Sequence, residues 1–114
     1  MGLRAMHVSR ITEMPSTIER LCLWYRRQCD ADWEHSYGVK IENLDNPGWL
    51  VKVDLTDTDL VNEVFPARNH ENLGAGEWIH CHKDGPLFVG ACGPTQLDEV
   101  LRSFLDWAEQ ARDA

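Results

Sequence analysis

A thiol, an imidazole and three acids lie within the seven residues from Cys29 to His35. A cysteine becomes a nucleophile when a neighbouring base such as His35 takes its proton and the surroundings stabilise the thiolate. Cys29, however, is expected at the C-terminal end of a helix, where the helix dipole and the nearby acids disfavour a thiolate. A structural role for Cys29 is therefore favoured, and a small thiol-dependent enzyme that uses Cys29 and His35 stays an alternative hypothesis.

The three acids of this segment, Asp30, Asp32 and Glu34, can play two roles. Carboxylates can act as general acids and bases, but a group of acids alone is a weak sign of catalysis. Asp and Asn also close helix ends and turns by accepting hydrogen bonds from backbone N–H groups. That turn role is favoured for Asp45 and Asn46, whereas for the three acids structure and partner contact are left equally open. Since the sequence holds no glycine-rich phosphate loop, serine nucleophile motif or dinucleotide fingerprint, we predict no enzyme and no cofactor.

The best metal-ligand types lie in His80-Cys81-His82, with Cys92 further along. Successive side chains of a strand point to opposite faces, so His80 and His82 cannot easily share an ion with Cys81. The chain also has no Cys-x-x-Cys pair. We therefore predict no metal site. A metal-dependent fold through His80, His82 and Cys92 is kept as a further hypothesis.

Charge is spread unevenly along this 114-residue chain, whose formal net charge is −8. Residues 1–30 carry five Lys or Arg against three Asp or Glu, whereas residues 31–114 carry six against sixteen. A body this acidic repels phosphate backbones, which argues against nucleic-acid binding. It would attract a basic protein partner and speed its association, although solubility alone also explains an acidic surface.

No apolar run approaches the roughly 20 residues that span a bilayer. Residues 1–14 contain Arg4, Arg10 and Glu13 but no continuous apolar block, so they do not read as a signal peptide. The expected compartment is the cytoplasm, with no membrane contact. In that reducing environment the four cysteines are expected to be thiols, three of them small buried apolar groups.

A first helix is predicted from a capping box, formed by Ser16 with Glu19 three residues later. The helical pattern stops near residues 28–30, and Trp24 borders its apolar stripe. The face expected to be buried consists of Ile18, Leu21, Cys22, Tyr25 and Cys29.

Two strands with alternating apolar residues are predicted over residues 37–42 and 49–55. Between them, residues 46–49 have the pattern of a type II turn, with Pro47 at its second position and Gly48 at its third, where φ is positive. An antiparallel hairpin follows from this pattern.

Further strands are predicted over residues 77–83 and 87–91, joined by a hairpin turn at the Asp84-Gly85 pair. Residues 60–70 are ambiguous, because their apolar spacing is helical whereas Pro66 and the β-branched content favour an irregular strand.

A last helix is predicted with Thr95 as N-cap. Its expected buried stripe consists of Leu97, Val100, Leu101, Phe104 and Ala108, with Leu105 and Trp107 at the edges. The order predicts one α+β domain over residues 1–114, with an antiparallel four- to five-stranded sheet flanked by an N-terminal and a C-terminal helix. Both helices are expected on one sheet face, and residues 1–14 as a loose lead-in.

Three blocks of this sequence, at residues 29–41, 44–49 and 54–55, closely resemble the immunity protein 53 family. The resemblance continues to Trp107 and covers roughly residues 17–109. It implies a bacterial immunity protein, encoded beside a polymorphic toxin, that neutralises that toxin stoichiometrically.

One departure from the family pattern is Ala31, where Gly is expected more often. Alanine at this position indicates that a positive φ is not strictly required there. Some sequences of this kind carry a sulfurtransferase label, which would agree with the alternative enzyme, but Cys29 lacks an activating environment.

Aromatic residues beside acids have the composition of surfaces that bind basic proteins. With the resemblance and the acidic body, this composition predicts that the chain binds and blocks a cognate toxin, for which a basic nuclease domain is one hypothesis. The residues predicted to contact the partner are Asp30, Asp32, Trp33, Glu34, His35, Asp45, Asn46 and Trp49.

Overall fold

The computed structural model describes residues 15–113. This part of the chain starts with helix α1 (Thr17–Gln28) and a single helical turn, α2 (Trp33–Ser36), and ends in helix α3 (Leu97–Asp113). Between α2 and α3 lie the strands β1 (Val39–Leu44), β2 (Gly48–Asp54), β3 (Arg68–Asn72), β4 (Glu77–Asp84) and β5 (Leu87–Cys92). The predicted α+β class is confirmed. The lead-in expected over residues 1–14 lies outside the described residues.

The five strands form one antiparallel sheet in the order β1-β2-β5-β4-β3. The predicted hairpin between β4 and β5 is present, but it turns at residues 85–86, one position later than the Asp84-Gly85 pair, with Gly85 at a φ of 59°. The ambiguous segment forms turns as far as residue 63, and β3 begins only at Arg68, beyond Pro66.

The turn between β1 and β2 differs from the prediction. It covers residues 45–47, and Gly48 already pairs with Leu44 as the first residue of β2. Gly48 does not have a positive φ. A Cβ atom at Gly48 would lie 2.1 Å from the carbonyl oxygen of Cys92. Glycine is therefore needed for the close approach of β5, and the predicted type II turn is wrong.

One face of the sheet is covered by α3, which contacts β2, β4 and β5. Most of the predicted apolar stripe of α3 lies in this core, with Leu97 half-buried, and Leu105, expected at its edge, is also fully buried. The helix starts at Leu97, because the N–H of Val100 donates to the carbonyl of Gln96 (3.1 Å). Gln96 rather than Thr95 is therefore the N-cap.

Helix α1 begins at the predicted capping box but is rotated from the predicted orientation. Ser16 and Glu19 exchange two hydrogen bonds of 2.8 and 3.1 Å. The side chain that α1 buries is Trp24, whose ring packs against Phe104 of α3 at a centroid distance of 5.0 Å. Arg20 forms ion pairs with two acids of α3, Asp106 and Glu109. The large indole and these ion pairs fix the rotation, and most of the predicted stripe faces outward.

Candidate functional site

The segment between α1 and β1 folds into a corner that two of the predicted acids hold together. The Asp30 carboxylate accepts hydrogen bonds from the backbone N–H groups of Asp32 (3.0 Å) and Trp33 (2.9 Å). The Glu34 carboxylate accepts from the N–H groups of Asp30 (3.0 Å) and Ala31 (2.9 Å). Two of the three acids therefore have a structural role.

These hydrogen bonds also keep both carboxylates charged. The N–H groups of Trp33 and Asp32 lower the pKa of Asp30. Backbone N–H groups, first that of Glu34 itself and then those of Asp30 and Ala31, lower the pKa of Glu34. Because such bonds stabilise the ionised form of a carboxylate, the corner carries two fixed negative charges at neutral pH.

The backbone at Ala31 is left-handed, with a φ of 79°. The sequence-based inference that a positive φ is not required here is wrong. The hydrogen bonds that the N–H groups of residues 30 and 31 donate to the Glu34 carboxylate close the corner tightly around this conformation. Glycine adopts it without strain and alanine does not.

Trp33, predicted as a partner contact, is buried with 2% of its surface exposed. Its indole N–H donates to the carbonyl of Thr56 (3.0 Å), which ties the corner to the loop after β2. Its ring packs against three aromatic side chains, those of Trp24, Tyr25 and Tyr37. Because a partner cannot reach a side chain this buried, Trp33 positions the corner and is removed from the contact surface.

Two predicted contact residues of the corner are exposed and uncommitted. Among residues 15–113, the side chains of Asp32 and His35 form no hydrogen bond with another group. The loop fastened by Trp33 adds two exposed acids that the prediction missed, Asp57 and Asp59. In the sequence, the sign that could have identified them is the group of acids directly after the strand predicted over residues 49–55. We call Asp30, Asp32, Glu34, Asp57 and Asp59 the acidic corner.

On the side of Asp57 and Asp59, the acidic corner lies next to two arginines. Asp57 and Asp59 line a surface depression of about 270 Å³ with Arg27 of α1 and Arg112 of α3. The unbalanced negative charge therefore lies on the side of Asp30 and Asp32.

The remaining predicted contacts lie at the other end of β1. Asp45 and Asn46 are exposed in the β1–β2 turn, and neither forms a side-chain hydrogen bond among the described residues, so the expected bonding to backbone N–H groups is absent. Trp49 is half-buried and donates its indole N–H to the carbonyl of Pro94 (3.0 Å). Six strand residues separate this turn from the acidic corner, a span of about 20 Å. The structure thus places the predicted contacts in two groups.

The thiol chemistry considered for Cys29 has little support from the geometry. Cys29 is the C-cap of α1, as expected, and its thiol donates to the carbonyl of Tyr25 (3.3 Å). Within residues 15–113, no hydrogen bond joins Cys29 to the His35 ring. Two cysteines, rather than the three expected, are buried. Burial raises the pKa of Cys81 to about 11 and also raises that of Cys92.

The histidines of β4 lie on the uncovered face of the sheet. The two ring nitrogens of His80 lie 2.8 Å from the Asn69 side-chain oxygen and 3.1 Å from a Glu71 carboxylate oxygen. Cys92 is buried on the opposite, helix-covered face. Across the described part of the chain, no three His, Cys, Asp or Glu side chains are grouped so as to hold a metal ion.

None of the helices in residues 15–113 is long and apolar enough to cross a membrane. No curated protein and no solved structure matches this chain. The family model described as immunity protein 53 matches residues 18–109, which include every described strand, the acidic corner and most of both long helices. The chain therefore belongs to the immunity protein 53 family.

Proposed function

We propose that this protein binds a cognate toxin domain of a polymorphic toxin system in the cytoplasm and thereby neutralises it. Family membership supports the role of an immunity protein. The chemistry of the described residues agrees with a binder, because the candidate nucleophile Cys29 is a helix cap and its thiol bonds to a carbonyl.

The acidic corner is the surface we assign to the toxin. The observation that carries this assignment is that Asp30, Glu34 and the buried Trp33 fix the corner's backbone, while the Asp32 carboxylate is left exposed and uncommitted. A charged group held on a rigid backbone loses little conformational entropy when a partner binds. His35, Asp57 and Asp59 complete the contact set.

The turn at Asp45 and Asn46, with Trp49 beside it, forms a second contact in this proposal. An interface of ordinary size buries about 800 Å² on each partner and can extend over the roughly 20 Å between the two groups. The turn's side chains are exposed and uncommitted, as that of Asp32 is.

The charge of the chain points to a basic toxin. With a formal net charge of −8, the protein would be steered towards a positive cleft and away from nucleic acid. A nuclease domain, whose substrate cleft must attract phosphates, is the toxin class that we propose.

The first test is co-expression with the toxin domain encoded beside this chain, scored by growth and then by co-purification. Rescue of growth with a stable complex is expected. Rescue without a complex would overturn the binding mechanism in favour of an enzyme, and Cys29→Ser would then be the first variant to test. Absence of rescue would contradict neutralisation of that toxin.

The acidic corner itself is tested with Asp32→Lys. We expect at least tenfold weaker binding at low salt, mostly through slower association, and a smaller difference in high salt. Glu63→Lys is the matched control, because it makes the same change in net charge at an exposed position of the loop before β3, next to Lys83 of β4 and away from both contact groups. Equal affinity of both variants would remove the acidic corner from the proposal.

A further inference from the structure

Helix α1 carries a second apolar face that the fold leaves exposed. Its buried face is centred on Trp24. Ile18 and Tyr25 are 58% and 41% exposed, and Cys22 between them is exposed as well. Residues spaced four and then three apart lie above one another on a helix. We call Ile18, Cys22 and Tyr25 the outer stripe.

The outer stripe is held rigidly. The Tyr25 ring packs edge-on against the buried Trp33 at a centroid distance of 5.9 Å. The helix that carries it is fixed by Trp24 and by the ion pairs of Arg20 with α3. An exposed tyrosine with a fixed ring is among the side chains typical of an energetically dominant contact, because little entropy is lost on binding.

The outer stripe is continuous with the acidic corner. Tyr25 lies in the last turn of α1, and Trp33, which it contacts, is also the residue that positions Asp30 and Asp32. From Ile18 to Tyr25 the stripe extends about 10 Å along the helix. An apolar row that ends in negative charge is complementary to an apolar row that ends in positive charge.

We propose that the outer stripe and the acidic corner form one docking surface for the toxin, which presents an apolar ridge ending in Lys or Arg side chains. This inference rests on the proposed function and names the partner's chemistry. A second copy of the chain is a poor occupant, because a two-fold contact would bring together two chains that each carry a net charge of −8.

Cys22 provides a natural probe of this surface. Maleimide labelling, followed by peptide mass analysis, distinguishes it from Cys29 and from the buried Cys81 and Cys92. We expect the labelling rate of Cys22 to fall at least tenfold in the complex with the co-purified toxin. The matched control is Leu23→Cys in a Cys22→Ser background, because Leu23 is 39% exposed on another side of α1. The control thiol should stay reactive.

Affinity gives an independent readout. Ile18→Ser is expected to weaken toxin binding about five- to tenfold, and Leu23→Ser less than twofold. A stable complex in which Cys22 labels at the free rate, or in which both variants bind alike, would overturn this inference and leave the proposed function standing. Failure to form any complex would overturn both.

Two further outcomes identify a different occupant and would also overturn the inference. Cys22 protection in the free protein that increases with protein concentration would indicate a second copy. Slow maleimide labelling of Cys22 in the free protein that becomes fast when residues 1–14 are deleted would indicate that the chain's own N-terminal segment covers the outer stripe.

Discussion

The acidic corner and the β1–β2 turn have similar residue types but are built in different ways. At the corner, Asp30 and Glu34 accept four backbone hydrogen bonds, and the tryptophan is buried. At the turn, Asp45 and Asn46 are exposed without side-chain hydrogen bonds. The corner depends on its own acids and its own indole, whereas the turn depends on how closely β2 approaches β5. We therefore expect an acid next to an aromatic residue to be available to a partner only where its oxygens accept no hydrogen bond within the fold.

The largest expected difference between the two regions is in the free energy of unfolding that is lost when their tryptophans are replaced. Trp33→Ala removes a fully buried indole and its bond to Thr56, so we expect a loss of about 3 to 5 kcal/mol in the free energy of unfolding. Trp49→Ala should cost roughly 1 to 2 kcal/mol, because Trp49 is only half-buried. Urea unfolding measures both. Equal losses would show that the corner is no more dependent on its indole than the turn is.

In the β1–β2 turn, the free energy of unfolding should instead be sensitive to substitution of Gly48. A Cβ at Gly48 would collide with the Cys92 carbonyl at 2.1 Å, so Gly48→Ala should destabilise by roughly 1 to 3 kcal/mol. Gly74→Ala is the control, because its new Cβ would have no neighbour nearer than 3.9 Å and the backbone φ is not positive. A Gly48→Ala protein as stable as the control would contradict the close-approach explanation.

The stability that the acidic corner contributes should decrease at acidic pH. Since the pKa values of Asp30 and Glu34 are lowered in the fold from 3.8 and 4.5, the unfolded chain binds more protons, and the stability they contribute is present above those values. It should be lost as the pH falls below about 4.5 and through the folded pKa values.

Glu34→Gln tests this acid dependence. The variant should be less stable than the parent at neutral pH, and the difference should shrink as the pH falls. Unfolding by urea at several pH values provides the measurement. Asp45→Asn serves as the control, because that side chain forms no hydrogen bond among the described residues, and its stability should follow the parent throughout. A constant difference for Glu34→Gln would refute the role of its charge.

Much of the fold could be predicted because its signals are local. The capping box at Ser16, the β4–β5 hairpin at Gly85 and the apolar stripe of α3 each depend on residues a few positions apart. The rotation of α1 could not be predicted, because the helix has apolar residues on two faces. The choice between Trp24 and the outer stripe is made by residues of α3 more than 75 positions away.

The candidate site was predictable to a smaller extent, for the same reason. Asp30 to His35 stood out as one block, but only tertiary contacts decide which members are free. The Trp33 indole donates to the carbonyl of Thr56, and this hydrogen bond also brings Asp57 beside residues 30–35. Gly48 likewise owes its role to Cys92, on a strand 44 residues later.

The smallest expected effect distinguishes the acidic corner from an ordinary strand position by its sign. Ala31 has a φ of 79°, where an alanine is strained by about 1 to 2 kcal/mol. Glycine removes that strain but costs roughly 0.5 to 1 kcal/mol of extra unfolded-state entropy. Ala31→Gly should therefore raise the free energy of unfolding by about 0.5 to 1 kcal/mol. Ala91→Gly, in β5 with an ordinary extended φ, should lower it by a similar amount. If both substitutions destabilise equally, the left-handed conformation at Ala31 is not the strained element that the corner requires.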